Sequence, residues 1–299
     1  MAKKALVAIV VISAIILVAL FYTMVRSYNT PSEAAAKSLY SDGSGIFSKD
    51  EVSVLEIKGM IAESDDILEE IRDIAERSST KAVVVRIDSP GGGVAASQEI
   101  YEELKKLDAK KPVIASLSSL AASGGYYVAI GARTIVANPG TLTGSIGVIM
   151  QLADLQRLYN FIKVSPITIK SGKFKDIGST SRDMTEEERR ILQKLSDDIH
   201  SQFKGHIAES RKLPIAEVEK LADGRIFSGA QAKELKLVDE IGNFEDAVDI
   251  AAKAAGIKGK PKLYYPEVKK DGLFKLLMGT KAFIDKVLVD SQARMPVAM

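Results

Sequence analysis

At 299 residues, with 46% hydrophobic and 27% charged residues, the chain suffices for one large domain or two modest ones and is too apolar to be disordered. Its 41 basic and 39 acidic residues leave a net charge of +2, which gives no electrostatic case for nucleic acid as a partner. Cysteine is absent and histidine occurs only as His200 and His206, which rules out disulfides and thiolate chemistry and indicates neither a metal site nor a cofactor.

In chain order, Met1 to Lys4 read as a short cytoplasmic N-terminus. Ala5 to Val25 carries no charge. At about 1.5 Å per residue such a helix spans roughly 31 Å, the thickness of a bilayer core. Lys3 and Lys4 outweigh Arg26, so the N-terminus is expected in the cytoplasm and the rest of the protein outside it, at the cell membrane. A cleaved signal peptide is the rival reading, but its apolar region is normally about 7 to 15 residues. Residues 26–50 are polar and read as a linker, and 51–266 as the folded domain.

Within that domain Val52, Val54 and Ile57 open a strand, and Ile67, Ile71 and Ile74 recur at helical spacing behind Ser64 as N-cap. Lys81 to Ile87 is a continuous β-branched run of the kind buried in parallel sheets. It ends in Asp88-Ser89-Pro90-Gly91-Gly92-Gly93, and Ala95 to Leu107 reads as a helix. Further strands are expected at Val113 to Leu117, Thr134 to Ala137 and Ile146 to Ile149, with a helix at Tyr126 to Ala132. The alternation predicts an α/β fold with a mainly parallel sheet. Thr185 to Ser210 is a long amphipathic helix with a stripe of period four, Ile191, Leu195, Ile199, Phe203 and Ile207. Arg225 to Phe227 reads as a short strand between two helices, Asn243 to Ala255 as a helix, and Lys262 to Tyr265 as a last strand. Residues 267–299 form a basic amphipathic segment and tail, suited to a membrane surface, to the domain itself or to a neighbouring subunit.

Three segments carry candidate chemistry. Ser123 stands between a strand and a helix, with Ala121 and Ala122 before it and Gly124 and Gly125 after it. That setting exposes a nucleophilic hydroxyl, admits a substrate closely, and offers helix N-terminal amides to an oxyanion. An N-cap serine in a small-residue turn is the plain alternative. The run Gly91-Gly92-Gly93 lets backbone amides approach a ligand, and neither phosphate-loop pattern occurs in its proper context. The third segment is Ser171-Gly172-Lys173-Phe174-Lys175-Asp176-Ile177-Gly178-Ser179. Because His200 and His206 lie on different faces of one helix, the expected base is a lysine whose pKa falls from about 10.4 towards 7 or 8. The residues by themselves leave Lys173 and Lys175 equal.

Taken together, D-S-P-G-G-G, S-L-A-A-S-G-G-Y-Y, T-G-S-I-G-V and S-G-K-F-K-D-I-G-S, in this order, resemble the signal peptide peptidase A (SppA) family in its short, membrane-anchored form. The likeness runs from about Val52 to Leu237. One departure is Ser179-Thr180-Ser181, where the family pattern has Ser-Pro. The resemblance implies a ClpP/crotonase-like β-α superhelix and a Ser-Lys dyad endopeptidase acting on remnant signal peptides. It places the nucleophile at Ser123, the general base at Lys175 and a lysine-orienting hydroxyl at Ser145. The oxyanion hole falls on amides of Gly91 or Gly92 and of Gly124. It also implies a ring-like homo-oligomer, in which a dyad can form between subunits. Alternative readings are a crotonase-like acyl-CoA hydratase or isomerase, and a catalytically silent ring-forming membrane scaffold.

Overall fold

The structure is a computed structural model, and it describes residues 50–266. The cytoplasmic N-terminus, the apolar span Ala5 to Val25, nearly all of the linker and the basic segment 267–299 lie outside the described residues. Among the described residues, no helix is long and apolar enough to cross a membrane.

Eight strands form one sheet. Its main path runs β6 (Ile226–Ser228), β5 (Leu142–Gly144), β3 (Val113–Ala122), β2 (Thr80–Ser89), β1 (Glu51–Lys58), β8 (Lys262–Tyr264). All pairings are parallel except β5 with β6. The β-branched run is the central strand β2, covered on both faces, and Ala82 to Val85 are fully buried there. Strand β3 splits the sheet. Its first half, Ile114 to Leu117, pairs β4 (Thr134–Ala137), and its second half, Leu120 to Ala122, pairs β5. Asp88 Oδ1 accepts from Leu120 N at 3.2 Å, and Ser118 O and Ala121 O accept from the hydroxyls of Thr141 and Thr143. These side chains hold the diverging end of β3, at which Ser123 stands. The short β7 (Glu240–Ile241) extends the sheet beyond β4.

The helices are α1 (Asp65–Glu76), α2 (Val94–Asp108), α3 (Gly124–Ala129), α4 (Gln156–Phe161), α5 (Glu186–Arg211), α6 (Ile215–Leu221), α7 (Gly229–Glu234) and α8 (Phe244–Ala254). One face of the sheet packs Ile71, Ile74, Ile100, Leu104, Tyr126 and Phe203 in a single core. Ala247, Val248, Ala251 and Ala252 of α8 cover the other face at Val52, Val84, Ile114 and Val136. A sheet buried on both sides is what the unbroken apolar run in β2 requires.

Two expectations are corrected. No strand forms at Ile146 to Ile149; the strand in this stretch is β5, Leu142–Gly144. Pairing stops there because Gly144 (φ 83°) and Ser145 (φ 51°) both turn into the left-handed region. The stripe on α5 is also only half core: Phe203 and Ile207 are buried, whereas Ile191 and Leu195 are exposed. The C-terminal end of α5 is fixed by Arg211, whose side chain is 7% exposed and whose two Nη atoms donate to Asp239 at 2.8 and 2.6 Å. Asp239 also accepts from Ile135 N of β4 at 2.8 Å. Arg211→Ala is expected to cost about 3 kcal/mol, because it leaves a partly buried carboxylate without its partner. Urea denaturation followed by circular dichroism measures it, and an unchanged midpoint would contradict this role.

Candidate active site

Ser123 adopts φ 52° and ψ −119°, a conformation that L-residues rarely hold and that costs on the order of 1 to 3 kcal/mol. The backbone around it fixes this pose. Ser123 N donates to Gly144 O at 2.8 Å, and Ser123 O accepts from Tyr127 N at 2.9 Å. The neighbours must be small. A Cβ on Gly125 would lie 2.8 Å from Ser89 O, and one on Gly124 would lie 2.5 Å from Ser97 Oγ. The result is a sharp strand-to-helix turn that presents Oγ, the geometry of a nucleophile elbow.

The glycine loop lies directly against this turn. A Cβ on Gly91 (φ 101°) would sit 2.5 Å from Gly124 N and 2.9 Å from Ser123 Cβ. Gly91 N itself is taken, donating to Ser89 Oγ at 3.0 Å, and Gly93 N donates to Ile61 O at 2.7 Å. Gly92 N has no hydrogen bond of this kind and lies 3.1 Å from where a Gly124 Cβ would be. Gly124 N is the first amide of α3, with no preceding turn to donate into. Two backbone N–H groups therefore converge beside Ser123. In the first turn of α2, which follows the glycine loop, Ser97 Oγ donates to Gly93 O at 2.9 Å.

A shallow recess opens from Ser123, walled by Gly92, Val94, Tyr127, Val148, Ile199 and Phe203. Its volume is about 20 Å³. Val148 also borders a wider cavity of about 760 Å³, reached past Met150 and Leu152 and bounded by Arg182, Met184 and Leu192. Tyr127 stacks on Phe203 with ring centroids 4.3 Å apart. Its hydroxyl meets His206 Nδ1 at 2.5 Å, and burial raises its pKa. His206 thus serves the packing behind the recess, stacked on Tyr101. The other histidine, His200, has a buried Nε2 without a hydrogen-bond partner among the described residues.

Of the residues singled out from the sequence, the fold brings Ser123, Gly91, Gly92 and Gly124 together. It also brings Ser145 alongside, one position beyond the Ala122–Gly144 register pair and anchored by Ser145 N to Arg225 O at 2.8 Å. Lys175 is exposed, borders neither cavity, and makes no hydrogen bond to Ser123 among the described residues. Its neighbours are occupied. Lys173 pairs with Glu187 and lies over the Phe174 ring, and Lys170 pairs with Asp176 at 2.5 Å. Sequence reasoning missed Ser97, Tyr127 and Arg182. A polar residue four places after Gly93, on the apolar face of α2, was the available signal for Ser97.

A strained serine at the diverging end of a split, mainly parallel sheet, with the amides of Gly92 and Gly124 beside it, is an arrangement consistent with a hydrolase of the ClpP-like α/β type. In agreement, residues 46–141 match the Clp protease family and residues 105–258 match Peptidase family S49. The chain belongs to peptidase family S49, and it is an SppA-like protease. A Synechocystis sp. protein that bears the name of a protease is 47% identical over 208 residues, 69% of this chain and 75% of that one. Serine protease SPPA, chloroplastic, of Arabidopsis thaliana is 38% identical over 208 residues, 69% of this chain and 31% of that one. An Enterococcus faecium protein named for signal peptide peptidase SppA is 39% identical over 187 residues, 62% of this chain and 54% of that one. The chain thus spans 31% to 75% of the length of these relatives.

Proposed function

We propose that the protein is a membrane-anchored Ser-Lys endopeptidase that degrades signal peptides left in the membrane after secretion. The observation that carries this reading is the strained Ser123 turn with the amides of Gly92 and Gly124 beside it. Lys175, as the neutral amine, takes the proton of Ser123 Oγ, and the oxygen attacks the peptide carbonyl. The two amides stabilise the oxyanion, the amine product leaves with the proton returned by Lys175, and water hydrolyses the acyl-enzyme. Ser145 orients the lysine amine.

Lys173 is the poorer candidate base, because its amine is engaged by the Glu187 carboxylate and lies over the Phe174 ring. The exposed position of Lys175 suits a dyad completed between neighbouring subunits of a homo-oligomeric ring. Exposed Ile149, Phe161, Ile167 and Ile169 provide apolar surface for such an assembly. The shallow recess at Ser123 favours small side chains next to the cleaved bond, and the uncharged Ala5 to Val25 supplies the anchor.

The test is hydrolysis of a fluorogenic apolar peptide by the full-length protein in detergent. Lys175→Ala is expected to lower kcat roughly 100- to 10,000-fold. Lys173→Ala, a surface change, stays within about twofold. Wild-type activity rises with pH, since a lysine base works only when deprotonated. A flat profile, or full activity in Lys175→Ala, would rule out the lysine mechanism.

A further inference from the structure

We propose that Arg182 is a positioning residue for the general base, clamping the loop that carries Lys175 onto the N-terminal capping box of α5. This inference rests on the Ser-Lys reading. The backbone bonds of the loop are short-range turns, Lys175 N to Gly172 O at 3.1 Å, Ile177 N to Phe174 O at 3.1 Å and Ser179 N to Asp176 O at 3.0 Å. Its side-chain ties are the single exposed pair of Lys173 with Glu187, Lys170 donating to Lys173 O at 3.0 Å, and the more sheltered contacts of Asp176, next to Lys175.

Arg182 Nε and Nη2 each donate to the Asp176 carboxylate at 2.9 Å, a bidentate fork. On the opposite side Nη1 donates to Glu188 Oε2 at 2.9 Å and to Asp183 O at 3.0 Å, and Nη2 reaches Glu188 Oε1. Every donor of the guanidinium is used. Glu188 is itself the third residue of the α5 capping box, accepting from Thr185 N at 2.9 Å. The clamp is sheltered, with the Asp176 side chain 12% and the Arg182 side chain 32% exposed. Arg182 holds the Asp176 carboxylate below the usual range, and with the Thr185 amide it holds Glu188 at about 2.

Helix α5 carries this registration towards the nucleophile. Its Phe203 stacks on Tyr127, in the helix that begins directly after Ser123. In the dyad proposed above between neighbouring subunits, α5 thus seats its own subunit's nucleophile turn together with the base loop that it presents to the next. A misplacement of about 1 Å in a catalytic group costs on the order of 100-fold in rate, far more than such an ion pair contributes to stability.

The experiment compares Arg182→Gln, Arg182→Lys, Asp176→Asn and Lys175→Ala with wild type, full-length and in detergent. It reads kcat and KM on one fluorogenic apolar peptide. Arg182→Gln and Asp176→Asn are expected to lose roughly 30- to 100-fold in kcat with KM within about twofold. Arg182→Lys stays at least about tenfold impaired, because one ammonium cannot reproduce the fork.

Wild-type kcat in Arg182→Gln and Asp176→Asn overturns the proposal. Should Arg182→Gln fail to fold by circular dichroism, Asp176→Asn decides alone, since it leaves Arg182 on the capping box. Full activity in Lys175→Ala identifies a failure of the Ser-Lys reading instead, and removes this inference with it.

Discussion

Ser123→Ala is expected to lower peptide hydrolysis by four orders of magnitude or more, about the loss seen when a covalent nucleophile is deleted. The same substitution is expected to leave the fold intact, because Ser123 Oγ makes no hydrogen bond among the described residues and the turn is held by backbone atoms. A second variant separates chemistry from architecture. Ser123→Gly is equally inactive, yet it gains about 1 kcal/mol in stability, since glycine holds φ 52° without the cost a side chain incurs. A fluorophosphonate probe supplies the direct measurement. Wild-type protein gains the mass of one adduct on the peptide containing Ser123, and both variants stay unlabelled. An adduct elsewhere, or residual turnover in Ser123→Ala, would put the nucleophile in another place.

The parts of this site legible in the sequence are those that local chain chemistry determines. The β-branched run of β2 announces a strand buried on both faces, three glycines after it announce exposed amides, and a serine among alanines and glycines announces a tight turn. What the sequence hides depends on pairing. Val113 to Leu117 reads as the whole of a strand, but β3 continues to Ala122 because β5 and β2 flank it there. Ile146 to Ile149 has the composition of a strand and no partner, so it runs as irregular backbone across the mouth of the recess. The α5 stripe shows where apolar side chains line up and not how far the core reaches along them. Choosing between Lys173 and Lys175 depends on which amine finds a carboxylate. Glu187 lies fourteen residues from Lys173, in a separate element, and no spacing rule connects them. Arg182 is hidden for the same reason, since its meaning lies in the two carboxylates it joins.

Gly92→Ala is expected to lower kcat roughly 100- to 1,000-fold with little change in KM, the loss that accompanies removal of one oxyanion donor. The reason is steric and lies outside the substrate. A Cβ at position 92 would be driven into the carbonyl oxygen of Ile61, with Ile61 C at 2.6 Å and Ile61 N at 2.8 Å. Ile61 cannot give way readily, because its N donates to Gly91 O at 3.0 Å and its O accepts from Gly93 N at 2.7 Å. The loop must therefore retreat, and the Gly92 amide leaves the position that faces the developing charge. Gly93→Ala is the control: its added Cβ would meet nothing nearer than 3.6 Å, so turnover stays within about threefold of wild type. Because the fluorophosphonate adduct also places an oxygen in this hole, Gly92→Ala should label far more slowly than Gly93→Ala. Equal labelling rates and equal kcat in the two variants would mean that the glycine loop only shapes the turn and that the oxyanion is held elsewhere.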